Sequence, residues 1–150
     1  MPIVDGKYEC LIMTYFKNTD EAMDEIRAKL KRTRKVRVAN IPVPLVKELL
    51  PLLKDKDLAF ILPEKAEPWA ELLEMGPVAR QKAKIYVIYR GVEATAGNII
   101  LPDVHFSILW DGPSGKVLEI TAMNYSSCVK CQKKTFDMSW RYAEKLNKKK

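Results

Sequence analysis

The sequence is poor in the residues on which most catalytic and metal-binding chemistry depends. It has one histidine and three cysteines among 150 residues. No apolar run approaches the roughly 20 residues of a membrane-spanning helix, and the N-terminus lacks the basic region and apolar stretch of a secretory signal. An odd number of cysteines fits a reducing compartment better than a disulfide framework. We therefore expect a cytosolic protein with no membrane partner.

The overall composition is that of a globular protein, because 47% of the residues are hydrophobic and 30% are charged. A chain of 150 residues favours one domain over two. We find no internal repeat and no low-complexity linker. The sequence predicts a single domain over 1–150, in which only the ends, including the short basic tail 147–150, are mobile.

Short apolar segments alternate with amphipathic ones along the chain. Strands are predicted at 8–16, 35–41, 58–63, 82–91, 99–102, 104–112 and 116–124. Helices are predicted at 18–33, 45–53, 68–75 and 135–146. The segment 92–98 is predicted to be a loop, and 125–134 is predicted to be irregular. This alternation predicts an α/β fold with a mixed β-sheet flanked by helices.

Positive charge exceeds negative charge and is concentrated in two places. The formal net charge is +7, and six of the nine residues from Lys29 to Arg37 are basic. The C-terminus adds Lys145, Lys148, Lys149 and Lys150. Such clusters attract phosphate polyanions by releasing counterions. The candidate nucleic-acid-binding residues are Lys29, Lys31, Arg32, Arg34, Lys35 and Arg37. The alternative is a solvated helix end, together with a tail that aids solubility.

The one histidine lies in the predicted strand VHFSILWDG at 104–112, two residues before Ser107 and six before Asp111. The returning strand ends with TAMN at 121–124. This arrangement resembles the phospholipase D-like family, whose pattern is His, any residue, Lys, then an Asp, a turn, and Gly-Ser-any-Asn. Ser107 stands where the lysine belongs, and Asp111 falls one residue early.

The end of the chain carries a second part of the same resemblance. The predicted helix with Phe136 and Trp140 is similar to the closing helix of archaeal sugar-sensing regulators of the TrmB type. Their effector-binding domain is also phospholipase D-like. The resemblance thus implies a half-domain sandwich of that family, and it covers roughly 22–146.

Catalysis in that family uses two copies of the motif, with one histidine attacking phosphorus and the other protonating the leaving group. Lysines bind the phosphate oxygens, and Ser107 supplies no charge there. The resemblance therefore implies a degenerate site without catalysis, although a homodimer would still bring two His105 side chains together. We expect a homodimeric regulatory or assembly module that needs no cofactor and binds a small polar ligand or a protein. The candidate ligand-binding residues are His105, Ser107, Asp111, Asn124 and Tyr125.

Cys128 and Cys131 form a CxxC pair, which is half of a typical zinc site. Cys10 and His105 would complete a Cys3His set if the fold brought all four together. A redox function would instead need the pair at a helix N-terminus, where the pKa of a thiol is lowered. The alternative is two cysteines in a partly buried turn. The candidate metal ligands are thus Cys128 and Cys131.

Overall fold

The structure, a computed structural model, describes residues 13–16, 19–63, 72, 74, 77–81, 86–89 and 92–148. The strands within these ranges are β1 (Met13–Phe16), β2 (Lys35–Ala39), β3 (Asp57–Pro63), β4 (Val78–Gln81), β5 (Tyr86–Tyr89), β6 (Val92–Ile100), β7 (His105–Asp111) and β8 (Val117–Met123). The helices are α1 (Thr19–Arg32), α2 (Val43–Leu53) and α3 (Ser126–Lys148). None of these helices has both the length and the apolar character that crossing a bilayer needs.

The described strands form one sheet of eight, in the order β1-β8-β7-β6-β2-β3-β4, with β5 paired to β6 off this path. Strands β2, β3 and β4 run parallel to one another. The remaining pairs are antiparallel. The predicted α/β class, with a mixed sheet flanked by helices, is therefore confirmed.

Helix α1 lies where the sequence predicts it, with acidic residues in its first turn and basic residues in its last. This order stabilises a helix because the macrodipole is positive at the N-terminus and negative at the C-terminus. Ala22, Ile26 and Leu30 recur at helical spacing, and all three are fully buried. The Thr33 hydroxyl donates to the Lys29 carbonyl oxygen at 2.7 Å, which satisfies one of the last free carbonyls of the helix.

Two apolar cores lie on opposite faces of the sheet, since alternate residues of a strand point to opposite sides. The larger core packs α1 and α2 against one face, where Val38 and Phe106 are buried. The smaller core lies on the opposite face, which we call the α3 face. It consists of Ala59, Ile61, Ile100, Phe136 and Ala143. On β7, Phe106 points to the larger core, so His105 and Ser107 point to the α3 face.

Two strands share one edge of β6. Strand β5 pairs with the first half of β6, and β2 pairs with its end. Asn40 follows β2 at this point, with a positive φ of 51°. Its side chain donates to the Thr95 hydroxyl and to the Ala96 carbonyl oxygen, both at 2.9 Å. The indole of Trp110 donates to the Asn40 carbonyl oxygen, also at 2.9 Å. A Cβ atom on Gly97 would lie 2.1 Å from that oxygen, so only glycine fits there.

Three secondary-structure predictions were wrong. The segment 92–98, predicted as a loop, is the first part of β6, and its pairing on both edges outweighs the low strand preference of Ala and Gly. Strand β4 was not predicted. The segment 126–134, predicted as irregular, is the first part of α3, because the buried Val129, Phe136 and Ala143 recur at successive spacings of seven residues. Most of the predicted helix 68–75 lies outside the described residues.

Candidate functional site

His105 is a buried residue of the sheet, only 2% exposed. Its Nε2 atom lies 2.6 Å from the Asn98 carboxamide oxygen, an arrangement in which the ring donates the proton. Its Nδ1 atom is buried and has no hydrogen-bond partner among the residues that the structure describes. Burial lowers the pKa of His105 from 6.5 to about 4, because the charged ring would lose its hydration. His105 is therefore a neutral structural side chain at pH 7.

Two other members of the predicted ligand site lie on β7. Ser107 is half-buried on the α3 face and stands opposite Asn98 and Thr121 in register. Asp111 lies at the far end of the strand, where its carboxylate accepts the Ser114 backbone N–H at 2.9 Å and the Ser114 hydroxyl. These hydrogen bonds lower the pKa of Asp111. Asp111 thus stabilises the β7–β8 hairpin, which closes at Gly115 with φ of 74°.

Asn124 and Tyr125, which follow β8, complete the predicted ligand site. The backbone carbonyl of Tyr125 accepts the Val129 N–H at 3.0 Å and so begins α3. Asn124 lines a pocket of about 300 Å³ between α1 and the β1–β8 edge of the sheet, together with Lys29. We call this the α1 pocket. His105 does not line it, since its side chain points to the opposite face of the sheet. The ligand-binding role of the five residues as one group stays a prediction.

A second pocket, of about 100 Å³, lies between β2, the loop 101–104 and α3. We call it the β2–α3 pocket. Its floor is Ile100, Leu101 and Pro102, and its charged residues are Lys35, Arg37, Lys133 and Asp137. Lys133 is held over it, because its ammonium group donates to the Pro102 carbonyl oxygen at 3.4 Å. Three cations from two distant segments therefore converge on one small pocket.

Arg37 and Lys35 differ in how far they are already engaged. Arg37 donates to the Val36 and Asp57 carbonyl oxygens and pairs with the Asp57 carboxylate at 3.3 Å. Lys35 is exposed and forms no ion pair with any residue that the structure describes. Arg37 is thus partly a structural link between β2 and β3, whereas the charge of Lys35 is available to a ligand.

Further cations lie close in the sequence to those that line the β2–α3 pocket. Lys130 and Lys134 lie one turn from Lys133 and Asp137, so all four occupy one face of α3. Among the predicted nucleic-acid residues, Lys31, Arg32 and Arg34 are exposed and precede β2 directly. Lys29 belongs instead to the α1 pocket. We call the following set the basic surface: Lys31, Arg32, Arg34, Lys35, Arg37, Lys130, Lys133 and Lys134.

Cys128 and Cys131 lie in the first two turns of α3, and both are free thiols. Within the described ranges no group of three or more His, Cys, Asp or Glu side chains is placed to hold a metal ion. His105 bonds to Asn98, and Cys10 lies outside the described residues. Metal binding or redox activity of the CxxC pair stays a prediction.

Comparison with known proteins shows a similarity of fold. No family model and no curated protein matches the sequence. Among solved structures, the chain is similar to TrmBL2, an archaeal chromatin protein whose structure shows a novel mode of DNA binding. The TM-score is 0.60 at 11% sequence identity, over 87% of this chain and 53% of TrmBL2. The chain thus spans about half the length of that protein, and the likeness supports a TrmB-like fold.

Proposed function

We propose that this protein is a cytosolic, non-catalytic binding and regulatory module whose basic surface binds the phosphate backbone of nucleic acid. The observation that carries the proposal is the convergence of Lys35, Arg37 and Lys133 on the β2–α3 pocket. A phosphate group accepts several charge-assisted hydrogen bonds at once, and cations from separate elements provide them from different directions.

The full set of cations in the basic surface suits a polymer of phosphates better than a single small anion. Lys31, Arg32 and Arg34 continue the positive charge away from Lys35, and Lys130 and Lys134 continue it along α3. Each contact of such a surface with a phosphate releases condensed counterions, so affinity rises with the number of contacts and falls with salt. TrmBL2, which is similar in fold, is a chromatin protein with a novel mode of DNA binding, and this precedent supports the proposal.

The absence of catalysis is supported by His105. A histidine that attacks phosphorus must present a free ring nitrogen to solvent, and both nitrogens of His105 are buried in the sheet. A degenerate phospholipase D-like site therefore remains part of the proposal. Homodimer formation is also part of it, because β1 and β4 lie at the two edges of the described sheet, where further strands can pair. Native mass spectrometry tests the dimer directly.

Fluorescence anisotropy with labelled duplex DNA of random sequence, measured from 50 to 300 mM salt, tests nucleic-acid binding. We expect Lys35→Glu/Lys133→Glu to weaken binding by ~10-fold or more and to reduce the slope of log K against log salt by about 2. The matched control is Lys116→Glu, an exposed lysine in the hairpin at the opposite end of β7.

A second variant measures the contribution of the adjoining charges separately from that of the pocket. Lys31→Gln/Arg32→Gln/Arg34→Gln neutralises the adjoining charges and leaves Arg37, which pairs with Asp57, in place. We expect it to weaken binding with a smaller salt slope than the wild type. Absence of wild-type binding at 50 mM salt, or equal loss in the pocket variant and Lys116→Glu, would reject the proposal.

A further inference from the structure

The α1 pocket is distinct from the basic surface, and its lining divides into an apolar floor and a polar rim. The floor consists of the buried Val104 and Phe106 and the half-buried Phe16 and Ala122. The rim consists of Thr14, Glu25, Lys29 and Asn124. A volume of about 300 Å³ lies at the lower end of the range of small-ligand pockets, most of which combine an apolar lining with a few polar groups.

Two opposite charges stand on the rim, one turn apart on α1. A glutamate four residues before a lysine is the favourable orientation for a helical ion pair. Even so, Glu25 and Lys29 form no ion pair with each other or with any other described residue. Arg27, on the same helix, behaves differently and pairs with both Asp24 and Glu48. Within the described part of the chain, the pocket therefore presents a carboxylate and an ammonium group without ion-pair partners above an apolar floor.

We propose that the α1 pocket binds a small apolar amino acid. The ligand carboxylate pairs with Lys29, and its ammonium group pairs with Glu25. Asn124 and Thr14 supply neutral hydrogen bonds beside these charges, and the ligand side chain lies against Val104 and Phe106. A ligand with one charge, or with none, leaves Glu25 or Lys29 unpaired, so the site selects zwitterions. This inference does not depend on nucleic-acid binding.

Isothermal titration calorimetry with L-valine, L-leucine and L-methionine tests the proposal, with each amino acid compared with its amide and its N-acetyl derivative. The amide lacks the carboxylate, and the N-acetyl derivative lacks the ammonium group. We expect at least one of the three amino acids to bind, and the loss of either charge to weaken its binding by ~10-fold or more.

Two variants assign each charge to its partner. Lys29→Met should abolish the preference for the acid over the amide while keeping the preference for a free ammonium group. Glu25→Gln should do the reverse. Lys116→Met, an exposed lysine of the β7–β8 hairpin outside the pocket, should bind as the wild type does. Binding of none of the three amino acids at millimolar concentration, or unchanged preferences in both variants, would overturn the proposal whatever the outcome with DNA.

Discussion

The hydrogen-bonded polar residues of the sheet and the basic surface are neighbours with opposite properties. His105 bonds to Asn98, and Trp110 bonds to Asn40, within the sheet. His105 is also paired in register with Ile100, which lines the β2–α3 pocket. The one histidine of the sequence is thus buried, whereas Lys35 and Lys133 line an open pocket. Solvent access and unpaired charge, more than the rarity of a residue, are therefore the grounds on which we propose a binding site.

The largest expected effect comes from Gly97→Ala, which tests whether the hydrogen-bonded polar residues are structural. The added Cβ meets backbone atoms of Ala39 and Asn40, which cannot move aside as a flexible side chain would. We expect a loss of about 3 kcal/mol or more in the free energy of unfolding. Urea denaturation measures it. The control is Ala96→Ser at the exposed neighbour, for which we expect a change within about 0.5 kcal/mol. Similar stabilities for the two variants would contradict this account.

The pH dependence of stability gives the next largest effect. The pKa of His105 is about 4 in the folded protein and near 6.5 in the unfolded chain. Between these values the unfolded chain binds a proton that the folded protein does not, so stability falls as pH falls. The stabilisation is complete above pH 6.5, and its loss reaches about 3 kcal/mol near pH 4.

His105→Gln isolates this contribution. The Gln amide can still donate to the Asn98 oxygen, but it does not titrate. All carboxylates are common to the wild type and the variant, so their contribution cancels in the comparison. We expect the variant to lose about 3 kcal/mol less stability than the wild type between pH 7 and pH 4. Equal losses, measured by urea denaturation at each pH, would mean that His105 is already hydrated and would weaken the contrast with the basic surface.

Trp110→Phe should have a smaller effect on the same hydrogen-bonded residues. It removes the hydrogen bond from the indole to the Asn40 carbonyl oxygen and leaves that part-buried acceptor short of a donor. We expect a loss of about 1–2 kcal/mol beyond that of a matched control, Trp140→Phe. Trp140 is half-buried and stacks on Phe136 with ring centroids 6.0 Å apart, and no hydrogen bond of its indole is found within the described residues. An equal loss in both variants would assign the effect to packing alone.

The sequence predicted correctly those elements whose formation depends on residues close together in the chain. The bounds of α1, the burial of its apolar face and the β7–β8 hairpin follow from residues close together in the chain. Strand β6 could not be predicted in this way. Gly97 and Ala96 favour a loop locally, and the reason for Gly97 is the carbonyl oxygen of Asn40, which arrives from another part of the chain.

The same limit applies to the candidate site. Lys35 and Arg37 were predicted from the density of basic residues, but Lys133 was not among the predicted site residues, because its segment was predicted to be irregular. A signal was present, since Lys130, Lys133 and Lys134 share a face with Asp137 once the helix begins at Ser126. Their position beside β2 depends on how α3 packs on the sheet.

The smallest expected effect, on the basic surface, comes from Asp137→Asn. Asp137 is the one acidic residue among the described lining of the β2–α3 pocket, and it repels an incoming phosphate. Removing this charge should tighten DNA binding about threefold at low salt, and the gain should shrink as salt screens it. Glu144→Gln is the control, because it removes an exposed charge two turns further along α3, about 10 Å away and near the screening length. If both variants tighten binding equally, the protein responds to net charge and the pocket has no special role. If only Asp137→Asn does so, phosphate binds at the pocket itself.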